Sequence, residues 1–325
     1  MHIVLYHDAI IPPPKYGGTE RVLYWLTRAL ASLSHEVTLI AREGSHVEGA
    51  EVIGLKPDEH ATWWNYIPKS ADIVHLNGTP HRHLGFPLLV TIHGNGQPGE
   101  VFHPNTVFVS RRHAEIHGST HYVHNGIDPD DYFVADDRDE YLVFLAKASW
   151  SVKNLAGAIE VARAARMPLE VMGNRDWPLG LRRPGFHGIR YHGMVGNEEK
   201  RRILSRAKGL LFPVRWDEPF GLAVVEALAS GCPVFATPYG SLPEIVTPDC
   251  GFLSNHVSEH VSAIQKNAFS PLQCRERVLH HFSHMDMAKR YVRYYEQVLT
   301  QGGLQTPAPR RISSTSPKEL LPWTD

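Results

Sequence analysis

The sequence has few cysteines, no long apolar run and no large excess of charge of either sign. Among its 325 residues only Cys232, Cys250 and Cys274 are cysteines. Their odd number and the lack of a Cys-x-x-Cys spacing indicate neither a disulfide framework nor a zinc site. No run of about 18 apolar residues is present, and the apolar stretch 2–7 is too short for a signal peptide. We therefore expect a cytoplasmic protein without a transmembrane segment.

The charge balance disfavours a nucleic-acid partner. The net charge is -1 and the sequence pI is about 7.1, whereas nucleic-acid binders carry a basic footprint. Residues 1–138 have a net charge of -6 and the remainder has +5. A moderately basic second half suits a small anion such as a nucleotide, although surface composition alone explains the split equally well. The negative first half leaves peripheral membrane contact open but does not favour it.

Apolar runs alternate with helical patterns along most of the chain. At about 150 residues per domain the length suggests two domains, and strand-helix alternation predicts parallel α/β sheets. A first series of strands is predicted at 2–7, 36–41, 73–76, 88–92, 107–109 and 122–124, and a second at 141–145, 169–172, 209–212 and 233–236. A charged, turn-rich stretch at 128–140 predicts a linker between the two series. The Pro-, Ser- and Thr-rich stretch 301–325 predicts a disordered tail.

The strongest local signal is the stretch 213–233, which reads as strand, turn, helix and Gly stop. The predicted helix start at Phe220, Gly221 and Leu222 offers N–H groups and a partial positive charge that suit phosphate. If helical spacing held from Glu218 to Glu226, the two would be separated by about 12 Å of axial rise. A glycosidase acid/base pair needs roughly 5–9.5 Å between carboxyls, so the two glutamates are poorly spaced to form one. The two glutamates could instead grip the ends of one long ligand, and a surface helix with two ordinary glutamates is the alternative.

These residues resemble a known signature. The segment from Glu218 through Pro219-Phe220-Gly221-Leu222 to Glu226 closely resembles the Glu-x7-Glu motif of retaining GT-B glycosyltransferases, specifically glycosyltransferase family 4. Three further segments resemble other parts of that family: Gly17-Gly18-Thr19-Glu20-Arg21-Val22, Thr91-Ile92-His93-Gly94 and Asn125-Gly126-Ile127-Asp128. The resemblance covers residues 1–300.

The resemblance implies an α/β fold of the GT-B type, with two Rossmann-like doubly wound domains facing across a cleft. The acceptor would bind domain 1–138 and the nucleotide sugar mainly domain 139–283, while a helix at 284–300 would cross back to the first domain. By this likeness Glu226 would bind the ribose hydroxyls and Glu218 the hydroxyls of the donor sugar. The backbone of Phe220, Gly221 and Leu222 would approach the sugar and the diphosphate.

The family resemblance also implies how the departing diphosphate is stabilised. Basic side chains and helix N-termini act there in place of a metal, so no metal or other cofactor is expected. Lys147 and Lys153 resemble the basic pair, but the family usually has Arg first and a lysine five residues on, whereas here Lys147 precedes Lys153 by six. Lysine lacks the bidentate fork of Arg. Two lysines that flank a surface loop are the alternative interpretation.

Other candidate contacts are less specific. Gly17 and Gly18 would let phosphate or acceptor approach the backbone closely, although they could also form a simple turn. His93 would hydrogen-bond the donor sugar or the acceptor near the reacting carbon. The remaining candidates, suggested by the resemblance as loop contacts to the ligand, are Asn125, Gly173, Gly193 and Met194.

Two further patterns resemble ligand-binding features, but each has a simpler interpretation. Gly94-x-Gly96-x-x-Gly99 has the literal form of a dinucleotide fingerprint, but Pro98 and the irregular 100–105 leave no helix to bind a pyrophosphate, so we reject it. Trp63 and Trp64 could form a stacking platform for an acceptor sugar, although core packing is favoured.

The sequence thus predicts a metal-independent, retaining transferase that moves a hexosyl group from a UDP- or GDP-sugar to a sugar or other hydroxyl-bearing acceptor. The resemblance carries this prediction. A GT-B nucleotide-sugar epimerase and a non-catalytic nucleotide-sugar-binding module stay open as alternatives.

Overall fold

A computed structural model describes residues 1–15, 17–173, 188–266, 268–313, 316 and 319–325, and it divides them into two compact units. Unit 1 comprises Met1–Asp128 with Phe282–Ser316, and unit 2 comprises Pro129–His281 with the described residues of 317–325. The predicted boundary after residue 138 therefore lies too late in the chain. The reason is that Tyr132 is only 4% exposed and donates its hydroxyl to Glu226 of unit 2.

The chain begins unit 1 with six parallel strands and two helices. Their bounds are β1 His2–Tyr6, α1 Gly18–Ser32, β2 Glu36–Arg42, β3 Glu51–Leu55, β4 Ile73–Leu76, β5 Leu88–Ile92, β6 Thr106–Phe108 and α2 Arg111–Glu115. A 3-10 helix spans Glu59–Tyr66. The strands form one sheet in the order β3-β2-β1-β4-β5-β6. The central strand β1 is buried along nearly its whole length, as expected for a parallel strand covered on both faces.

Unit 2 repeats this architecture. Its elements are β7 Leu142–Leu145, α3 Leu155–Ala164, β8 Leu169–Met172, β9 Ile189–Gly193, α4 Asn197–Arg206, β10 Gly209–Phe212, α5 Leu222–Ala229, β11 Val234–Ala236, α6 Leu242–Ile245, β12 Gly251–Leu253, α7 Val257–Lys266 and α8 Pro271–His281. The sheet order is β12-β11-β10-β7-β8-β9, and all pairings are parallel. The predicted pair of Rossmann-like, doubly wound sheets is confirmed.

The chain then returns to unit 1 through α9, His284–Gln301. Ser283 caps this helix by accepting a hydrogen bond from the N–H of Asp286 at 3.1 Å. Tyr291 and Tyr295 are buried on the face of α9 that packs in unit 1. The predicted helix at 284–300 is therefore present, and it completes the fold of unit 1.

The prediction of a disordered tail at 301–325 is wrong for the residues that the structure describes. In unit 1 Val101 and Arg310 form an antiparallel bridge, and the N–H of Leu304 donates to Asn105 Oδ1 at 3.0 Å. In unit 2 His256 and Thr324 form a parallel bridge. Composition misled the prediction because these backbone contacts do not require an apolar pattern in the tail.

Other strand predictions failed at the sheet edges. The segment 122–124 makes only an isolated bridge, from Tyr122 to Phe108. The sequence did not predict β3, β9 and β12, which are short or largely exposed edge strands without a buried apolar run. Within the described residues, no helix combines the length and apolarity that crossing a membrane requires.

The strand order of each sheet indicates where a ligand crevice is expected. Connections leave β1 and β4 in opposite directions, and the same reversal occurs between β7 and β10. In open α/β sheets, ligands bind beyond the carboxyl ends of the strands at such a switch point. The loops that follow β7 and β10 are therefore the first place to look for chemistry in unit 2.

Candidate active site

An ion pair occupies the switch point of unit 2. Lys153 ends a short 3-10 turn, Ser151–Lys153, in the loop after β7, and Glu218 lies in the loop after β10. The ammonium of Lys153 donates to Glu218 Oε2 at 2.6 Å, and the indole N–H of Trp216 donates to the same oxygen at 2.7 Å. The side chains of the pair are 12% and 8% exposed. The structure thus joins two residues that the sequence assigned to different parts of the donor.

Aromatic rings cover the lysine of this pair. Its Nζ lies 4.7 Å from the ring centre of Trp216 and 5.3 Å from that of Phe212. A cation over aromatic faces is stabilised by their quadrupoles, most strongly when water is excluded. The arrangement therefore fixes a partly dehydrated positive charge beside a carboxylate acceptor, which are the groups needed to bind a phosphate and a sugar hydroxyl.

The N-terminus of α5 adds a second source of positive potential. Gly221 immediately precedes this helix with φ 86, a conformation that favours glycine, and as the N-cap residue it supplies no side-chain cap. Ser241 Oγ donates to the carbonyl of Phe220 at 2.7 Å and so fixes the approach to the helix. Leu222, the first helical residue, is half-buried. The partial positive charge of this end favours an anion.

Glu226 lies on α5 and is only 1% exposed. Its Oε1 accepts from Lys200 Nζ at 2.5 Å and from the hydroxyl of Tyr132 at 2.7 Å. This excludes the alternative of two ordinary glutamates on a surface helix. Because α5 begins only at Leu222, Glu218 lies outside the helix and the rise of about 12 Å does not apply to the pair.

The sequence analysis missed Lys200 and Tyr132. Lys200 is 4% exposed and shares the buried face of α4 with Ile203 and Leu204. A lysine at helical spacing with two apolar residues is a readable sign of a buried partner. Tyr132 gave no such sign, because it lies in a stretch that composition marked as a linker.

Lys147 has fewer described contacts than Lys153. It follows β7 and is half-buried, and its Nζ lies 4.9 Å from the ring centre of Trp150. Gly173 is packed tightly beside this loop, since a Cβ there would lie 2.1 Å from the carbonyl oxygen of Ala146. The structure gives Lys147 a cation–π contact as its described partner.

The predicted loop residues Gly173, Gly193 and Met194 lie at the carboxyl ends of β8 and β9. The N–H of Gly173 donates to the carbonyl of Gly193 at 2.9 Å. Gly193 has φ 68, and Met194 is half-buried. These three residues therefore share the sheet edge that carries the Lys153–Glu218 pair.

The corresponding edge of unit 1 holds the other predicted residues. Gly17 precedes α1, where a Cβ would lie 2.7 Å from Glu20 Oε2, and Gly18 is the first residue of that helix. The Glu20 carboxylate lies 3.7 Å from His7 Nε2. The nearby imidazole of His7 holds the pKa of the Glu20 carboxyl below its usual range. Close packing at Gly17 favours a structural reason for this glycine.

His93 follows β5 on the same edge of unit 1. Its Nε2 lies 2.9 Å from Asn77 Oδ1, so this nitrogen carries the proton when the amide oxygen accepts. Desolvation, with a smaller contribution from His7, lowers the pKa of His93 to about 4. The imidazole is therefore neutral at neutral pH and can donate one hydrogen bond and accept another.

Two histidines missed by the sequence analysis hold the loop that follows His93. His113 Nε2 lies 3.1 Å from the carbonyl of Gly94, and the N–H of Gly96 donates to His117 Nε2 at 3.1 Å. The described residues 97–105, directly after this glycine-rich loop, form no helix, and the next element is β6. The rejection of a dinucleotide fingerprint there is consistent with this geometry.

Asn125 is the remaining predicted residue of unit 1. It is 5% exposed, and its Oδ1 has no hydrogen-bond partner within the described part of the chain. Its neighbour Gly126 packs against the start of α9, where a Cβ would lie 2.3 Å from the carbonyl oxygen of Ser283. Close packing thus accounts for Gly126. Among the described residues, Asn125 Oδ1 is a buried hydrogen-bond acceptor without a donor.

The tryptophan pair packs as the favoured prediction expected. Trp63 is 8% exposed and stacks on Tyr6 with ring centres 3.9 Å apart and planes 9° apart. Trp64 is half-buried with the guanidinium of Arg82 4.5 Å from its ring centre. Trp63 therefore belongs to the core of unit 1.

Unit 2 contains a segment that matches a known protein family. Residues 139–267 match the model of a family described as Glycosyl transferases group 1. The chain is 31% identical over 118 residues to the MMP alpha-(1->4)-mannosyltransferase of Mycolicibacterium hassiacum, covering 33% of this chain and 28% of that protein. It is 30% identical over 135 residues to the O-antigen chain mannosyltransferase B of Escherichia coli, covering 37% and 34%. The matches span less than half the length of these curated relatives.

The fold likeness extends over both units. The crystal structure of AviGT4, a glycosyltransferase involved in Avilamycin A biosynthesis, matches with a TM-score of 0.80 at 25% identity, covering 92% of this chain and 98% of that chain. The likeness confirms the GT-B fold class. Together with the family match it supports glycosyl transfer as the general chemistry.

Proposed function

We propose that the protein is a retaining, metal-independent glycosyltransferase of the family 4 type that moves a hexosyl group from a nucleotide diphosphate sugar to a hydroxyl acceptor. Unit 2 binds the donor and unit 1 the acceptor. The names of two relatives as mannosyltransferases support a hexosyl donor, mannose included. The match of unit 2 to a glycosyltransferase family supports the division of roles.

One observation carries the proposal. The Lys153–Glu218 pair lies at the switch point of the second sheet, where a ligand crevice is expected, and α5 begins three residues after Pro219 with a glycine as its N-cap residue. A diphosphate needs a cation and N–H donors, and a sugar needs a carboxylate acceptor. All three lie on two short loops and the helix that follows them.

The proposed roles follow from these groups. Lys153, aided by Lys147 and the backbone of Phe220, Gly221 and Leu222, stabilises the charge that accumulates on the leaving diphosphate. Glu218 accepts hydrogen bonds from hydroxyls of the donor sugar, and Glu226 accepts them from the ribose hydroxyls. Gly173, Gly193 and Met194 approach the nucleotide, while Gly17, Gly18, His93 and Asn125 contribute to the acceptor side.

Retention fixes where the bonds change. The acceptor oxygen attacks the anomeric carbon from the face that the diphosphate leaves. The bond from that carbon to the phosphate oxygen breaks, and the leaving phosphate takes the proton of the acceptor hydroxyl. Glu218 is not required as a nucleophile, in keeping with its engagement by Lys153 and Trp216.

The test is a donor assay on the purified full chain. UDP-, GDP- and ADP-hexoses are supplied with and without a mixture of hydroxyl acceptors, and nucleotide release is followed together with the anomeric configuration of the product by NMR. Acceptor-dependent release with a retained anomer supports the proposal, and an inverted anomer contradicts it. Release without any acceptor, with a rearranged sugar, indicates an epimerase. Binding without release indicates a non-catalytic module.

The same assay tests the expectation that no metal is needed. EDTA is titrated into the reaction up to millimolar concentration, with a metal-dependent transferase assayed in parallel to confirm that the chelator works. Turnover that is unchanged by EDTA supports the proposal. Turnover that disappears and returns with added Mg²⁺ or Mn²⁺ contradicts it.

A further inference from the structure

The end of the described chain makes a short set of contacts in unit 2 that the proposed function does not use. We call residues Leu321–Thr324 the C-terminal clasp. Their backbone neighbours lie mainly in loops that follow the parallel strands of unit 2, and the side chain of Trp323 contacts the helices α3 and α7. Because the carboxyl ends of parallel strands share one edge of the sheet, the clasp lies along the edge that carries the candidate donor site.

The first contact is with the loop that leads to Glu218. The N–H of Leu321 donates to the carbonyl of Arg215 at 2.8 Å, and Arg215 Nε donates back to the carbonyl of Leu321 at 2.7 Å. The N–H of Arg215 in turn donates to the carbonyl of Val152 at 2.7 Å, the residue before Lys153. One residue therefore links the clasp to both loops that hold the ion pair.

The second contact reaches the loop behind Glu218. The hydroxyl of Tyr239 donates to the carbonyl of Pro322 at 2.7 Å. The next residue, Gly240, is packed so closely that a Cβ would lie 2.2 Å from the backbone nitrogen of Glu218. The N–H of Ser241 donates to the carbonyl of Glu218 at 2.9 Å. Movement of this loop would therefore displace Glu218 directly.

The third contact anchors the clasp itself. Trp323 stacks on His260 with ring centres 5.6 Å apart and planes 26° apart, and its indole N–H donates to Glu160 Oε2 at 3.0 Å. Gly157, in the first turn of α3, faces the same indole, since a Cβ there would lie 2.9 Å from Trp323 Cε2. Thr324 bonds on both sides to 255–257 through its N–H and its carbonyl, at 2.9 and 3.0 Å.

We propose that the C-terminal clasp is a positioning element of the donor site, which holds the loops of Lys153 and Glu218 in place through Arg215 and Tyr239. None of its residues needs to touch the donor. The inference deepens the proposed function and rests on it.

The experiment compares the full chain with a variant that ends at residue 318 and so lacks 319–325. We expect the truncated protein to keep its circular dichroism spectrum, while kcat/KM for the UDP- or GDP-hexose that the full chain uses falls on the order of tenfold or more, since small misplacements of binding groups are costly. Backbone amides of 213–221 and 147–154 should exchange hydrogen faster, and those of β10 and β11 should not.

Point variants separate the clasp from the rest of the tail. Trp323→Ala should reproduce the effect of truncation, while Trp323→Phe, which keeps the stacking on His260, should restore most of kcat/KM. Ile312→Ala is the matched control, because Ile312 is 69% exposed and belongs to the part of the tail in unit 1. A loss with Ile312→Ala as large as with Trp323→Ala would overturn the proposal.

The exchange measurement needs no substrate, so it tests the clasp even if the proposed function fails. A full chain that binds none of UDP, GDP and ADP would contradict the proposed function alone. Unchanged exchange at 213–221 and 147–154 after truncation would contradict the clasp alone, as would unchanged kcat/KM in an active enzyme. Faster exchange throughout unit 2 would identify a general stabilising contact and overturn the positioning role.

Discussion

At the scale of single residues, the Lys153–Glu218 pair combines a stability requirement with a chemical one. A charge with so little exposure is tolerated because its partner neutralises it, and removing one partner leaves the other uncompensated. A donor diphosphate would offer Lys153 a second anion. The pair therefore holds the ammonium in position before the donor arrives.

The first prediction concerns this lysine. Lys153→Ala should lower kcat roughly 10²–10³-fold, the usual cost of losing one donor to a developing charge, as measured by nucleotide release at saturating donor. Lys147→Ala, which removes a half-buried lysine over the ring of Trp150, should lower kcat less. Equal losses in the two variants would contradict the unequal roles. Circular dichroism and thermal melting check that both variants fold.

The second prediction concerns the buried pair of Glu226 and Lys200. Lys200→Met should destabilise unit 2 by about 3–5 kcal/mol, the typical cost of leaving a buried charge without its partner. The double variant Lys200→Met/Glu226→Gln should recover much of this loss, because no uncompensated carboxylate remains. Urea unfolding measures both. Additive losses in the double variant would show that the two side chains do not interact as the structure indicates.

Glu226 gives a separate prediction for ligand binding. Glu226→Ala should weaken binding of the free nucleotide, UDP or GDP, as well as of the complete donor, since its proposed partner is the ribose. Glu218→Gln should weaken binding of the nucleotide sugar but leave that of the free nucleotide nearly unchanged. Calorimetric titration of each variant with both ligands measures the difference. The reverse pattern would exchange the two roles.

At the scale of elements, buried histidines link strands and helices of unit 1. His75 on β4 lies 2.7 Å from the hydroxyl of Tyr295 on α9 and 2.8 Å from Thr91 Oγ1 on β5. Thr91 Oγ1 also lies 3.0 Å from the hydroxyl of Tyr291. Burial lowers the pKa of His75 to about 3. A neutral imidazole therefore joins α9 to the centre of the sheet.

The buried His75 determines the direction in which the stability of unit 1 changes with pH. Because the folded pKa of His75 is about 3 and the unfolded value is about 6.5, the unfolded chain binds more protons between these values. Unit 1 should therefore lose stability as pH falls from about 6.5 towards 3, by up to about 1.4 kcal/mol per pH unit for such a histidine. The His75→Gln variant should show a shallower dependence in urea unfolding from pH 7 to 4. An unchanged slope would contradict this assignment.

The sequence predicted the elements that are buried and missed those that are not. The strands β4, β5, β8 and β10 are mostly apolar and buried along nearly their whole length, and their predicted bounds agree with the structure. The Glu-x7-Glu pattern located Glu218 and Glu226 because both lie on one short stretch. Their partners were beyond its reach: Lys153 is 65 residues from Glu218, and Tyr132 is 94 residues from Glu226. Such contacts are set by the order of strands in the sheet, which a local pattern does not contain.

At the scale of the whole molecule, the proposed donor contacts all belong to unit 2. A nucleotide that binds only the folded state stabilises it by about 2.7 kcal/mol at a concentration of 100 times its Kd. We predict that UDP or GDP, whichever binds, slows hydrogen exchange in β7, β10 and α5 and leaves β1, β2 and β4 unchanged. Protection of the unit 1 strands without protection of β10 would contradict the placement of the donor.

The path of the chain has a consequence for how the protein is made. Unit 1 takes its sheet from the first 128 residues and its closing helix, α9, from residues beyond 281. A ribosome adds about 5–20 residues per second, so residues 129–281 of unit 2 are synthesised while the first sheet still lacks the side chains of Tyr291 and Tyr295. The nascent first unit therefore waits, with an uncovered apolar surface, for several seconds to half a minute. We therefore expect unit 1 to depend on chaperones more than unit 2 does during synthesis.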